Sequence, residues 1–234
     1  QCPLRGCWND VQNIYDFLKN RGYLEQNIEV ITDANFVWGK ENVIGVMIDF
    51  IEKVKPGDQV FFHFSGHGGQ LPDNEDEGTE DEKDGMDECI YADDLEPIRD
   101  DVLNQIFVGC LPEGASLVAI LDCCHSGTGL DLRYTLSSKG VKEENFLTVD
   151  RNVVCISACE DYDTAADTSF VTKGKRMPQG ALTHSFIEAM STRHYRTRKW
   201  MGVLEDIISK TKGYHQIAQL SSSKENSGQN DALI

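Results

Sequence analysis

Two short stretches carry residue types that together do acyl chemistry. "HFSGHGGQ" (63–70) sets His67 among glycines where an apolar run ends, and "AILDCCHSG" (119–127) brings Cys123, Cys124 and His125 to the end of another. A thiol attacks a carbonyl as the thiolate, so a nucleophilic cysteine needs an imidazole or a helix N-terminus beside it. Strand alternation puts Leu121 and Cys123 on one face and Asp122 and Cys124 on the other. Cys123 is then the packing residue, Cys124 the nucleophile and His67 its base. The backbone N–H groups of Cys124 and Gly68 would receive the oxyanion, since Gly68 has no side chain to obstruct the approach. The plainer alternative is a structural histidine and a core cysteine; two such strand ends in one small domain argue against it. A zinc site built from Cys123, Cys124 and His125 fits poorly, because adjacent residues diverge and ligand pairs usually stand two or more residues apart.

Alternating helix and strand signals supply the frame that would bring the two stretches together. Apolar groups at Trp8, Val11, Ile14, Tyr15 and Leu18 recur at helical spacing over 8–21 and stop at Gly22. "IEVITD" (28–33) reads as a strand, 42–54 as a helix, 59–69 as a strand breaking into glycines, and 99–109 as a helix. Strands at 116–124 and 152–159 and a helix at 180–190 follow. This order predicts a mainly parallel central sheet flanked by helices on both faces, in which sites gather at the carboxyl ends of the strands. His67 and Cys124 both fall there.

The 234 residues make one domain with a real core. With 22 basic against 39 acidic residues the net charge is −17, which argues against nucleic acid as a partner and in favour of cations. No run approaches the roughly 18 apolar residues of a membrane span. No charged-then-apolar signal segment stands at Gln1, so a reducing, cytoplasmic location is expected. Cys89, Cys110, Cys155 and Cys159 lie in or beside apolar runs and read as small buried hydrophobes. The chain begins without a methionine, so an upstream segment is expected to be missing. "RHYRTRKW" (193–200) reads as a solvated face and "SSSKENSGQN" (221–230) as a flexible tail.

"LRGCWNDV", "HFSGHGGQ", "DGMDE" and "LDCCHSGTGLDL" together resemble the metacaspases, caspase-related cysteine endopeptidases, and their type I branch in particular. The resemblance runs from about Leu4 to the C-terminus. It implies the caspase-hemoglobinase fold, a three-layer α/β/α arrangement, with a large-subunit-like part over 1–150 and a small-subunit-like part over 151–234. It implies a His67/Cys124 dyad and a monomeric, self-processing zymogen that cleaves protein or peptide substrates after Arg or Lys. The family's apolar first strand, just before "LRGC", has no counterpart here.

Asp122 shares the face of Cys124, and the family's pocket maps onto Cys7, Asp10 and Ser65. An Arg or Lys side chain between the Asp10 and Asp122 carboxylates would gain charge-assisted hydrogen bonds; the plainer roles are a helix cap for Asp10 and a turn stabiliser for Asp122. The acidic run over 72–94 fails as an EF-hand, with Glu75 and Glu77 at Asp/Asn positions and Asp84 where the bidentate Glu belongs. Its hard oxygens still suit calcium, and the family's calcium site maps onto Asp84, Asp100, Asp101 and Asp131. Arg133, Lys139 and Lys142, and Lys173, Lys175 and Arg176, are candidate self-cleavage sites in what read as polar loops. Two other readings are a legumain-type asparaginyl endopeptidase and a non-proteolytic calcium-responsive scaffold or aggregate-binding module.

Overall fold

The computed structural model describes residues 4, 6–34, 36–72, 85–124, 129–137, 139–143, 151–158, 167–172, 175–191, 199–212 and 218–229. The run "SLVAILD" forms strand β5 (Ser116–Asp122), buried from Leu117 onward, as a strand covered on both faces must be. β1 (Gln59–Ser65) and β8 (Asn152–Ser157) lie parallel to it on either side, with Ser65 level with Asp122 and Leu121 level with Ser157. β11 (Gln219–Ser222) runs antiparallel between β8 and β6 (Tyr134–Ser137), and β7 (Gly140–Glu143) closes the order β1-β5-β8-β11-β6-β7. The sheet is therefore mixed, parallel in its β1-β5-β8 half.

Side-chain alternation divides the core into two layers. Val118, Ile120, Val154 and Ile156 pack beneath α1 (Cys7–Arg21), α4 (Ala181–Met190) and α5 (Trp200–Thr211). Leu117, Ala119, Leu121, Cys123 and Val153 face α2 (Lys40–Ile51), α3 (Asp100–Asn104) and the π-helical turn Gln105–Gly109. Helices on both faces give the three-layer α/β/α architecture. Beyond Gly66 the chain leaves the main sheet for a small antiparallel one of β2 (Gly68–Pro72), β3 (Met86–Tyr91) and β4 (Pro97–Arg99). β9 (Asp167–Thr172) and β10 (Lys175–Gly180) form a separate pair that leads into α4.

Several sequence expectations are revised. The segment 28–33 joins no ladder. The outer edge of β1 borders a groove of about 1900 Å³ lined by Ile28, Val30, Phe61 and His63, so 28–33 pairs with no strand, and a strand needs a partner to satisfy its backbone. The serine-rich tail is no tail at its start: Ser221, Ser222 and Ser223 are buried, the latter two donating their hydroxyls to Val153 O and Arg151 O. Short hydroxyl side chains thus satisfy themselves within the sheet. The helix over 99–109 divides into α3 and the π turn, which buries Ile106, Phe107 and Val108 together. Cys89 and Cys155 are core residues, as expected; Cys110, just past the π turn, is exposed, and Cys159 lies outside the described residues. Arg133 immediately precedes the β6–β7 hairpin, Lys142 lies in β7, and Lys175 and Arg176 lie in the β9–β10 ladder, not in free loops. Lys139 stands at the β6–β7 turn, and Lys173 is outside the described residues. Residues 193–198 of the basic stretch are outside them too. No described helix is long and apolar enough to cross a membrane.

Candidate active site and acidic centre

Parallel pairing of β1 with β5 carries the two stretches to the same end of the sheet. The approach is close: a methyl group on Gly68 would overlap the carbonyl oxygen of Cys124 and come within 3.1 Å of Cys123 Sγ. Only glycine fits between the His67 turn and the cysteine pair. His67 O accepts the Tyr91 N–H at 3.0 Å, so antiparallel alternation turns the Gly68 N–H away from β3. Cys123 is 1% exposed and belongs to the layer beneath α2 and α3, whereas Cys124 and His67 are half-buried. The strand expected over 116–124 ends at Asp122, and the two thiols differ in burial in the bend that follows it. His125 lies outside the described residues.

On the other side of β5 the pocket residues converge on Gly180, the N-cap of α4. Asp10 accepts the Gly180 N–H on both oxygens, at 3.0 and 2.9 Å, and the Ser65 hydroxyl at 2.8 Å. Asp122 accepts the Thr183 N–H at 2.8 Å, capping α4. Thr183 Oγ1 in turn lies 3.1 Å from His63 Nε2, and burial pushes the His63 imidazole down to about 3, so it is neutral near pH 7. Ser65 and His63 project from the same face of β1; one holds Asp10 directly, the other reaches Asp122 through Thr183. Cys7 opens α1 three residues before Asp10, half-buried. Asn9 and Asn13 bind Pro178 O (2.8 Å) and Gln179 Oε1 (3.1 Å), so one turn of α1 grips residues 178–180 in succession. Both carboxylates therefore hold structural hydrogen bonds while facing one point.

That point has no room to spare. A methyl on Gly180 would overlap Asp122 Oδ2 and come within 3.0 Å of Asp10 Oδ2. Gly180 has φ −66° and ψ 138°, a conformation open to any residue, so the glycine is required by space alone. Gly180→Ala should cost about 1–3 kcal/mol by overpacking. Thermal unfolding would read this as a midpoint several degrees lower; an unchanged midpoint would mean the carboxylates yield freely.

A second cluster lies on the α3 side. Carboxylate oxygens of Glu88, Asp100 and Asp131 come within 4.8 Å of one another, as do those of Asp87, Asp100 and Asp101. Glu88, Asp100 and Asp131 are all buried. Asp87 is paired with the Arg99 guanidinium, which leaves the Glu88 group as the better fit to a hard divalent cation. Glu88 Oε1 also accepts Gln70 Nε2 at 3.1 Å, and the Glu88 N–H donates to Asp100 Oδ2 at 2.8 Å, tying the strand after His67 to the cluster. Of the four aspartates expected from sequence, Asp100, Asp101 and Asp131 gather here and Asp84 lies outside the described residues. Glu88, Asp87, His63, Thr183 and Gly180 were not foreseen. "DGMDE" placed acids in the right stretch but not on a face, and "GALT" read only as a helix start.

A family model for the metacaspase, peptidase C14 domain matches residues 1–133. The chain belongs to the metacaspase family. It is 34% identical to Metacaspase-1 of Candida glabrata over 94% of its own length and 68% of that protein, and 35% identical to Metacaspase-1 of Saccharomyces cerevisiae over 94% and 62%. The chain thus spans 62 to 68% of the length of these two metacaspases. A crystal structure of a Geobacter sulfurreducens protein, 20% identical, superimposes with a TM-score of 0.65 over 94% of this chain and 84% of that one; at that identity the likeness bears on the fold. Metacaspases are cysteine peptidases, which gives the thiol at the end of β5 a reaction class.

Proposed function

We propose that this metacaspase is a calcium-dependent endopeptidase that cleaves after Arg or Lys. The observation that carries the reading is the fit of Gly68 against Cys124, which joins an imidazole-bearing turn to a cysteine at the ends of neighbouring parallel strands. His67 takes the Cys124 proton, and the thiolate attacks the scissile carbonyl. The Gly68 and Cys124 N–H groups receive the oxyanion. Collapse expels the amine, protonated by His67, and leaves an acyl-enzyme that water hydrolyses. Asp10 and Asp122, with Ser65 and Cys7 beside them, supply the negative charge that attracts the cationic side chain before the cleaved bond; that side chain docks beside Gly180 and not in the filled space between the two carboxylates.

The acidic centre is the calcium site of this reading. Its donors are carboxylate oxygens from β3, α3 and the segment before β6, a set suited to a hard cation and poor for a soft one. Calcium there supplies charge neutralisation that lets Asp131, seven residues after Cys124, sit against α3. Self-cleavage belongs to the same reading. Lys139, exposed at a hairpin turn with its neighbours Ser137 and Gly140 paired, needs the least unfolding to enter a protease.

Fluorogenic peptides ending in Arg, Lys, Asn or Asp, assayed with calcium and with chelator, test the whole reading: turnover of the Arg and Lys peptides only, and only with calcium, is expected. Cleavage after Asn would point to legumain-type specificity, and no turnover of any peptide would favour a scaffold. Asp122→Ala leaves a bound cation without its partner, a loss of about 2–5 kcal/mol in a desolvated pocket. Its kcat/KM on Arg peptides should fall accordingly; an undiminished value refutes the pocket.

A further inference from the structure

Asp131 has φ 43°, and with Leu95 it is one of two non-glycine residues in the left-handed region among those described. Such a backbone persists only where its surroundings hold it. The hold is visible: Asn104 Nδ2 donates to Leu130 O at 2.7 Å and to Asp131 O at 3.3 Å. Asn104 ends the same short helix that Asp100 begins, and positions four apart share a helix face. One face of α3 therefore meets the Leu130–Asp131 turn twice, through the Asp100 carboxylate toward the Asp131 carboxylate and through the Asn104 amide on the backbone.

We infer that Asn104 is a positioning residue for the cation site. By holding the left-handed turn it biases the Asp131 carboxylate toward Asp100 and Glu88, so that less of the ordering falls to the cation. The assignment rests on the calcium reading above. Its physical content is preorganisation: without the Asn104 amide the turn relaxes toward ordinary backbone, and the cation must supply the ordering that Asn104 supplies in the parent. The affected quantity is calcium affinity, while the donor set itself is untouched.

Calcium chloride titrated calorimetrically into the full chain, in a Cys124→Ala background that removes self-cleavage, tests this directly. Asn104→Ala should raise the calcium Kd about tenfold, and Asn104→Gln, which keeps an amide donor on a longer stem, should recover part of that loss. A residue that merely supports the fold would lower the unfolding midpoint of the calcium-free protein and leave Kd where it was. Calcium binding by the parent with an unchanged Kd in Asn104→Ala overturns the positioning role alone. No calorimetric binding by the parent overturns the calcium reading and this inference together.

Discussion

Cys124→Ala is expected to abolish turnover, and Cys123→Ala is not. Removing the nucleophile from a thiol or serine hydrolase costs on the order of 10⁴-fold or more, because what remains is oxyanion stabilisation and binding alone. Cys123, by contrast, is buried in the layer beneath α2 and α3 with Leu121, and its sulfur packs beneath Gly68. Truncating it removes one buried sulfur, about 1–2 kcal/mol of stability, and loosens the seat of Gly68 by a fraction of an ångström. Activity should fall a few-fold and the unfolding midpoint by several degrees. Thiol titration separates the two variants further: the half-buried Cys124 reacts with iodoacetamide in the native protein, and Cys123 does so only on unfolding. Equal loss of activity in two folded variants would reverse the face assignment.

On the proposed reading, chelation should silence the enzyme without unfolding it. If Glu88, Asp100 and Asp131 are all ionised, with oxygens within 4.8 Å of one another, each pair repels by about 3 kcal/mol at an effective dielectric near 20. In calcium-free protein that repulsion favours separation of the three side chains, which draws Asp131 away from α3. Activity should drop on the order of a hundredfold in chelator, while far-ultraviolet circular dichroism stays unchanged. Millimolar calcium restores it, and magnesium, which prefers a small octahedral shell and holds its water, restores little. Asp131→Ala should lose calcium activation yet keep its fold. Equal rates in calcium and chelator would reduce these acids to buried structural groups.

The sequence was informative where one residue type admits one environment. Five unbroken apolar residues, Leu117 to Leu121, before "DCC" pointed to an interior strand, and "SGHG" to a turn among glycines; both are so. It was uninformative where the partner is remote. "IEVITD" has strand composition, but forming a strand depends on a neighbour that local propensity does not report. "QLSSS" has the polarity of a surface, and its burial follows from carbonyls of Val153 and Arg151 some seventy residues away. The candidate pocket divides in the same way. Asp122 was legible from strand alternation, and Asp10 and Ser65 from motif resemblance. Gly180, Thr183 and His63 could not be found, since each matters through a contact across at least fifty residues of chain.

The place of β11 in the sheet sets an order of events during folding. It is the last strand in the chain among those described, yet it lies in the interior, antiparallel to both β8 and β6. Until residues 219–222 have been synthesised and inserted, β8 and β6 have no bridge, and the two halves of the sheet are separate pieces with open edges. The β1-β5-β8 half, whose parallel pairings span less chain than that of β11 with β6 and are complete by Ser157, can assemble earlier on the ribosome. The Leu130–Asp131 turn can receive the Asn104 amide then, but β6, which begins three residues later, has no strand of the parallel half to dock against, so the segment after the turn stays unanchored. Closure requires contacts spanning more than eighty residues, between Leu220 and Leu136, and such distant pairings are slow. The acidic centre thus matures last, after the thiol and the imidazole are already in place, so the nascent chain carries its chemical groups well before it can arrange the loop that follows them.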